Sequence, residues 1–137
     1  MRLVVVAGLA LALAGSASAA VFAFRTPSAN IGCIFSSEPG FGGPELRCDI
    51  LSGLKPAPTK PRGCTLDWQY GYRIHPTGAA LKVCAGDTAV NRRSKVVPYG
   101  STWSRGGFTC LSRKAGLRCR NRSGHGFFLS KQHSYRF

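Results

Sequence analysis

Six cysteines, Cys33, Cys48, Cys64, Cys84, Cys110 and Cys119, constrain this chain more than any other feature. An even set in an exported chain of this length reads as a disulfide framework, and six half-cystines allow 15 connectivities. Side-chain alternation selects among them. If Cys33 faces Cys48 across an antiparallel pair, Ile31 faces Ile50 and Phe35 faces Leu46 on the same surface. That surface is then wholly apolar or cystine. The opposite one carries Gly32, Ile34, Arg47 and Asp49 and is expected to be mostly wet. A one-residue slip destroys the separation.

The same test joins Cys110 to Cys119. Phe108, Cys110, Leu117 and Cys119 then share a face, with Ser112 and Asn121 at its margins and Arg113 to Gly116 as a four-residue loop. The other face sets Gly107, Thr109 and Leu111 opposite Arg122, Arg120 and Arg118, short residues under long cationic stems. Cys64 and Cys84 pair by elimination. Their flanks do not match as a tight ribbon, because direct pairing would put Lys82 opposite Leu66. Each bridge removes about 3 kcal/mol of unfolded-state freedom in the chain-entropy model, so three approach the whole stability of a small domain, about 5 to 15 kcal/mol. Reduction is expected to unfold the protein.

The two hairpins resemble each other: "CIF" is followed by "LRCDI" in the first, and "CLS" by "LRCRN" in the second. They read as a weak internal repeat. The longer connection of the first, Ser36 to Glu45, is rich in glycine and proline and is expected to be mobile. No window after residue 20 holds a helical stripe, while "KVVPYGSTW", "GGFTCLS" and "GFFLS" are short β-prone runs between glycines and prolines. The expected fold is an all-β, disulfide-stapled domain of about six to eight short strands. "LKPAPTKPRG" (54–63) reads as an unpaired polyproline crossing. Trp68, Tyr99, Trp103, Phe108, Phe127 and Phe128 are the expected aromatic filling, with Phe127 and Phe128 pointing to opposite sides.

The compartment follows from the start of the chain. Met1 and Arg2 precede an apolar run from Leu3 to Ala14 and small residues from Gly15 to Ala20. This is the pattern of a secretory signal, with Ala17 and Ala19 in the small-residue positions and cleavage expected after Ala19. Residues 1–19 are thus expected to be removed and 20–137 to form one secreted domain with no transmembrane segment, no lipid anchor and a monomeric state. Without Arg2 its charge is +13, and from Thr88 to Phe137 there are eleven Lys or Arg and no Asp or Glu.

The chain also resembles a family of small secreted bacterial proteins known only as a domain of unknown function. The matching stretches are "FRTPSANIGC" (24–33), "LRCDI" (46–50), "CAGDT" (84–88), "PYGSTW" (98–103), "GGFTC" (106–110), "RNRSGHGFFLS" (120–130) and "SYRF" (134–137). Ala29 and Gln69 stand where glycine is expected. The resemblance implies a secreted β-rich module and brings no catalytic residue with it.

The chemistry the residues offer is narrow. Bridged cysteines supply no thiolate nucleophile. A triad of His125 and Asp87 with Ser123 or Ser130 lacks a nucleophile elbow, and paired-carboxylate chemistry has only Glu38, Glu45, Asp49, Asp67 and Asp87 to draw on. His75, His125 and His133 lack metal-ligand spacing, so neither metal nor cofactor is expected. What stands out is a row of Arg118, Arg120 and Arg122 at about 6.5 to 7 Å spacing along one strand, widened by Arg105, Arg113 and Lys114. Guanidinium groups present planar paired donors that suit phosphate or carboxylate. The expected function is therefore non-catalytic binding of an anionic polymer or surface: envelope polysaccharide, nucleic acid or acidic lipid head groups. One alternative is a small basic phosphodiesterase or nuclease using His125 or His133 with Arg120, Arg122 and Lys131. Another is a purely structural module of the cell envelope.

Overall fold

The computed structural model describes Ala12, Gly15, residues 20–38 and residues 43–137. The rest of the expected signal segment and the tip of the Ser36–Glu45 connection lie outside the described residues. Those residues form an all-β domain without a helix and with the three bridges Cys33–Cys48, Cys64–Cys84 and Cys110–Cys119.

Eleven strands build it: β1 (Val21–Arg25), β2 (Ile31–Ser36), β3 (Glu45–Ile50), β4 (Gly71–Ile74), β5 (Leu81–Lys82), β6 (Lys95–Val96), β7 (Thr102–Arg105), β8 (Phe108–Arg113), β9 (Gly116–Arg120), β10 (Gly126–Leu129) and β11 (Ser134–Arg136). The surplus over the expected six to eight comes from pieces of two or three residues, β5, β6 and β11, too short to leave a period in the sequence. The first sheet has the order β5-β4-β3-β2-β1-β6, and the second β11-β10-β9-β8-β7.

The β2–β3 register sets Ile31 against Ile50, Cys33 against Cys48 and Phe35 against Leu46. In the β8–β9 hairpin Cys110 faces Cys119, and Thr109 and Leu111 face Arg120 and Arg118. Its loop is shorter than expected. Arg113 already pairs with Gly116, so only Lys114 and Ala115 turn the chain. Gly116 has a packing reason as well: a Cβ there would lie 2.5 Å from Phe128 Cζ.

The similarity of the two hairpins extends outward by one strand on each side. Cys33 is flanked by Phe24 and Cys110 by Trp103; Cys48 is flanked by Tyr72 and Cys119 by Phe127. Leu46 faces Ile74 just as Leu117 faces Leu129. The counterparts also meet across the core. Phe24 stacks on Trp103 with centroids 4.6 Å apart, Tyr72 stacks on Phe127 at 5.6 Å, and Cys48 Sγ lies 3.9 Å from Cys119 Sγ. The domain is a sandwich of two matching four-stranded meanders, β1–β4 and β7–β10, whose cystines touch at its centre. One apolar cluster from both sheets fills it.

Three expectations need correction. The outer face of the first sheet is covered in part, because residues 87–90 lie across it at Gly32, Arg47 and Asp49. The Asp49 carboxylate, 1% exposed, accepts hydrogen bonds from the Arg47 guanidinium (2.6 and 3.2 Å) and from the Ala89 N–H (2.8 Å). Arg47 also donates to the Asp87 side chain. A Cβ on Gly71 would collide with that buried carboxylate, and one on Gly32 would lie 2.6 Å from Val90 Cα. Burial opposes the Arg47 charge, but the bonds and charges of Asp49 and Asp87 outweigh it and hold the guanidinium above its ordinary value.

The aromatic filling also differs. Phe108 and Phe127 are in the core, Trp103 packs against it, and Phe24, Phe35 and Tyr72 complete it; Tyr99 is exposed instead. Phe127 points inward and Phe128 outward, as alternation requires. Finally, "LKPAPTKPRG" forms no strand, but Lys55–Pro56 is cis. Its Lys55 carbonyl accepts the Ser134 N–H, which ties the segment to the end of the second sheet.

Candidate anion-binding face

β9 is the third strand of the second meander. Its inward residues Leu117 and Cys119 are fully buried, which drives Arg118 and Arg120 outward. Arg122 follows past the strand end and lies over Gly107, where a Cβ would come within 2.7 Å of Arg122 Nε. All three arginines are exposed. Arg118 is steadied by an aromatic ring, its Cζ standing 3.7 Å above the Phe137 centroid. Phe137 reaches it across Gly126, with which it exchanges two main-chain hydrogen bonds of 3.0 Å. Beside the row lies an aromatic band: Phe128 packs against Tyr135 and His133 with centroids 5.3 Å from each.

The remaining cations of the expected site divide. Arg113 and Lys114 sit at the β8–β9 turn, at the far end of the row from Arg122. Arg105 does not join them. Its ladder partner is the buried Phe108, so it leaves β7 on the other side of the sheet and stacks over Phe22, 3.4 Å from the ring centroid.

Ion pairing separates the two sheets. Arg47 pairs with Asp49 and Asp87, and Arg73 and His75 lie near Glu45, all on the first sheet or the segments attached to it. Among the described residues no carboxylate lies within 4 Å of Arg118, Arg120, Arg122, Arg113 or Lys114. The matching meanders supply an internal control. Arg47 and Asp49 occupy in β3 the positions that Arg118 and Arg120 occupy in β9, one and three residues after the repeated leucine. In β3 the arginine neutralises a buried carboxylate and is half-buried; in β9 the acid is replaced by a second arginine and both guanidinium groups face water.

His125 is a turn residue here. Its N–H donates to Asn121 Oδ1, and its ring nitrogen Nδ1 lies 3.4 Å from the Phe137 carbonyl. Asp87, the acid of the triad considered above, is engaged by Arg47 on the first sheet. The residue that builds this turn is Asn121, buried to 1%. Its Oδ1 accepts from the Ser123 N–H, the Ser123 hydroxyl and the His125 N–H, and its Nδ2 donates to the His75 and Gly78 carbonyls. Sequence reasoning left it at a margin. Its signal was the match to buried Ile50: an asparagine in an apolar position needs partners.

Searches among curated proteins and among solved structures return no match. The model of a family of unknown function, DUF6636, matches residues 3–137, nearly the whole chain. The two-meander sandwich, its three cystines and its arginine face are thus the features of a chain that belongs to the DUF6636 family.

Proposed function

We propose that this is an exported, non-catalytic module that binds an anionic polymer along the outer face of its second sheet, with Arg118, Arg120 and Arg122 as the primary contacts and Arg113 and Lys114 extending them. The observation that carries the reading is the contrast between equivalent positions. The arginine of β3 has structural work to do, whereas those of β9 have no carboxylate partner and add nothing to the core. A row of uncompensated guanidinium groups on a rigid strand attracts polyanions and repels cations. It presents its donors pre-oriented, and Phe137 holds one of them.

Export is supported at the start of the domain. Ala20, the first residue after the expected cleavage point, is already part of the fold: its N–H donates to Ser37 Oγ at 2.8 Å and its carbonyl accepts the Ser37 N–H. Three disulfides fit an extracellular protein, and among the described residues no helix is long and apolar enough to cross a membrane.

The test is retention of the oxidised protein on immobilised heparin and on nucleic acid across a salt gradient, with inspection of the eluted nucleic acid for cleavage. Binding should weaken steeply between low and moderate salt, and the nucleic acid should emerge intact. Failure to bind at low salt overturns the reading, and shortened products that disappear in His125→Ala replace it with phosphodiester cleavage.

A further inference from the structure

Where the arginine row ends, the surface becomes concave. A cleft of about 190 Å³ opens between the β1–β2 turn, the β8–β9 turn and the β10–β11 connection. Three cations line it, Arg113 and Lys114 from one loop and Lys131 from another, together with the hydroxyl residues Thr26, Ser28 and Ser130. No acidic residue contributes to its wall. We propose that this cleft is a binding site for a single tetrahedral oxyanion, phosphate or the end group of a phosphomonoester.

Size, charge and rigidity carry the assignment. The cleft is smaller than the 300 to 1,000 Å³ typical of sites for whole organic ligands, so it fits an ion or the head of a larger molecule. Three cations line the cleft without a carboxylate partner among the described residues. A monovalent carboxylate would leave most of that charge unbalanced, whereas a phosphate dianion offsets most of it and offers several acceptor oxygens to the ammonium and guanidinium donors. Two other clefts have acids in their walls, Asp67 and Asp87 in one and Glu38 and Glu45 in the other; a third is lined by Arg73, Lys82 and Arg136, but there Arg73 lies 3.9 Å from Glu45 and Arg136 donates to the Ala80 carbonyl.

The loops forming the site are fixed from behind. Thr26 is buried and its hydroxyl lies 3.3 Å from both the Ile31 carbonyl and Ser28 Oγ. Ser130 is buried too; its hydroxyl donates to the His133 carbonyl (2.7 Å) and accepts the His133 N–H (3.0 Å). These bonds hold the connection carrying Lys131 against the sheet, so little ordering is left for the ligand to impose. The cleft shares Arg113 and Lys114 with the polymer-binding face but adds Lys131 and the β1–β2 turn, so it does not require Arg118, Arg120 or Arg122.

Titrating inorganic phosphate into the full oxidised protein, followed by ¹H–¹⁵N NMR at constant ionic strength set with chloride, tests the proposal. The expected result is saturable shifts confined to residues 26–31, 113–116 and 130–132. Lys114→Ala combined with Lys131→Ala should raise the Kd about tenfold or more with the melting temperature unchanged. Arg118→Gln, Arg120→Gln and Arg122→Gln together should leave the phosphate Kd within about twofold. Methyl phosphate, run in parallel, separates the sources: equal binding assigns the cleft to phosphomonoester ends, and binding of inorganic phosphate alone assigns it to the free ion. Shifts that fail to saturate, that spread over all cationic surfaces, or that persist unchanged in the double lysine variant overturn the site.

Discussion

Ala29 adopts φ +57°, the left-handed region that L-residues enter at a cost of about 1–2 kcal/mol. It turns the chain between β1 and β2, at the position where glycine is expected from the sequence. The entropy of a glycine offsets part of the gain, so Ala29→Gly is expected to raise stability by about 0.5 kcal/mol and the melting temperature by about 3 °C, read by calorimetry. A fall would mean that the alanine side chain packs better than its backbone suits. Asn121 carries the opposite expectation. Truncation to alanine leaves the His75 and Gly78 carbonyls and the donors of Ser123 and His125 without their partner. A loss of about 3 kcal/mol follows, measurable by urea unfolding. Tyr72 links stability to pH. Burial holds its phenol above the ordinary value although the charge of Arg136 pulls it down. Folding therefore favours the protonated form, and that contribution is complete below about pH 10. It is lost as pH rises through the folded value. Tyr72→Phe should flatten the alkaline limb of the stability profile, checked by comparing urea midpoints at pH 9 and pH 11.

Elements that pair locally were legible from residue types; those that pair at a distance were not. The β2–β3 and β8–β9 registers follow from alternation because a cystine pins each pair and a slip would bury Arg47 or Arg118. The flanking strands have no such pin. Phe24 and Tyr72 sit beside cystines from which they are separated in sequence, and only the finished sheet shows that they repeat Trp103 and Phe127. Arg105 was misplaced because its pattern fits the wet face as well as the dry one; pairing with Phe108 across a glycine turn decides the matter. The wet face of the first sheet was misread for a similar reason, since nothing near Asp49 announces that Ala89, forty residues later, will cover it. The cystines also differ in access. Cys33, Cys48, Cys110 and Cys119 are fully buried, whereas Cys84 is exposed. Mild reduction without denaturant should open Cys64–Cys84 first and leave the other two intact, as differential alkylation and peptide mapping would record. Simultaneous loss of all three would show that access is not what protects the central pair.

At the scale of the molecule, two matching meanders have been put to different uses. All five acidic side chains of the chain lie between Glu38 and Asp87, before the second sheet begins. The first sheet spends its charges on internal pairs and on anchoring the segment laid across it. The second has none to spend, so its outward arginines keep their full field. A mere excess of positive charge would attract polyanions everywhere; a placed row should do so through one face. Retention on heparin as a function of salt separates these, if Arg118→Gln, Arg120→Gln and Arg122→Gln together are compared with a charge-matched control, Arg62→Gln, Arg92→Gln and Arg93→Gln, three exposed arginines elsewhere. The expected result is that the β9 variant elutes at markedly lower salt with a slope reduced by about 2 to 3, while the control stays close to the wild type and all three proteins melt together. Equal losses in the two variants would contradict the assignment and reduce the interaction to net charge.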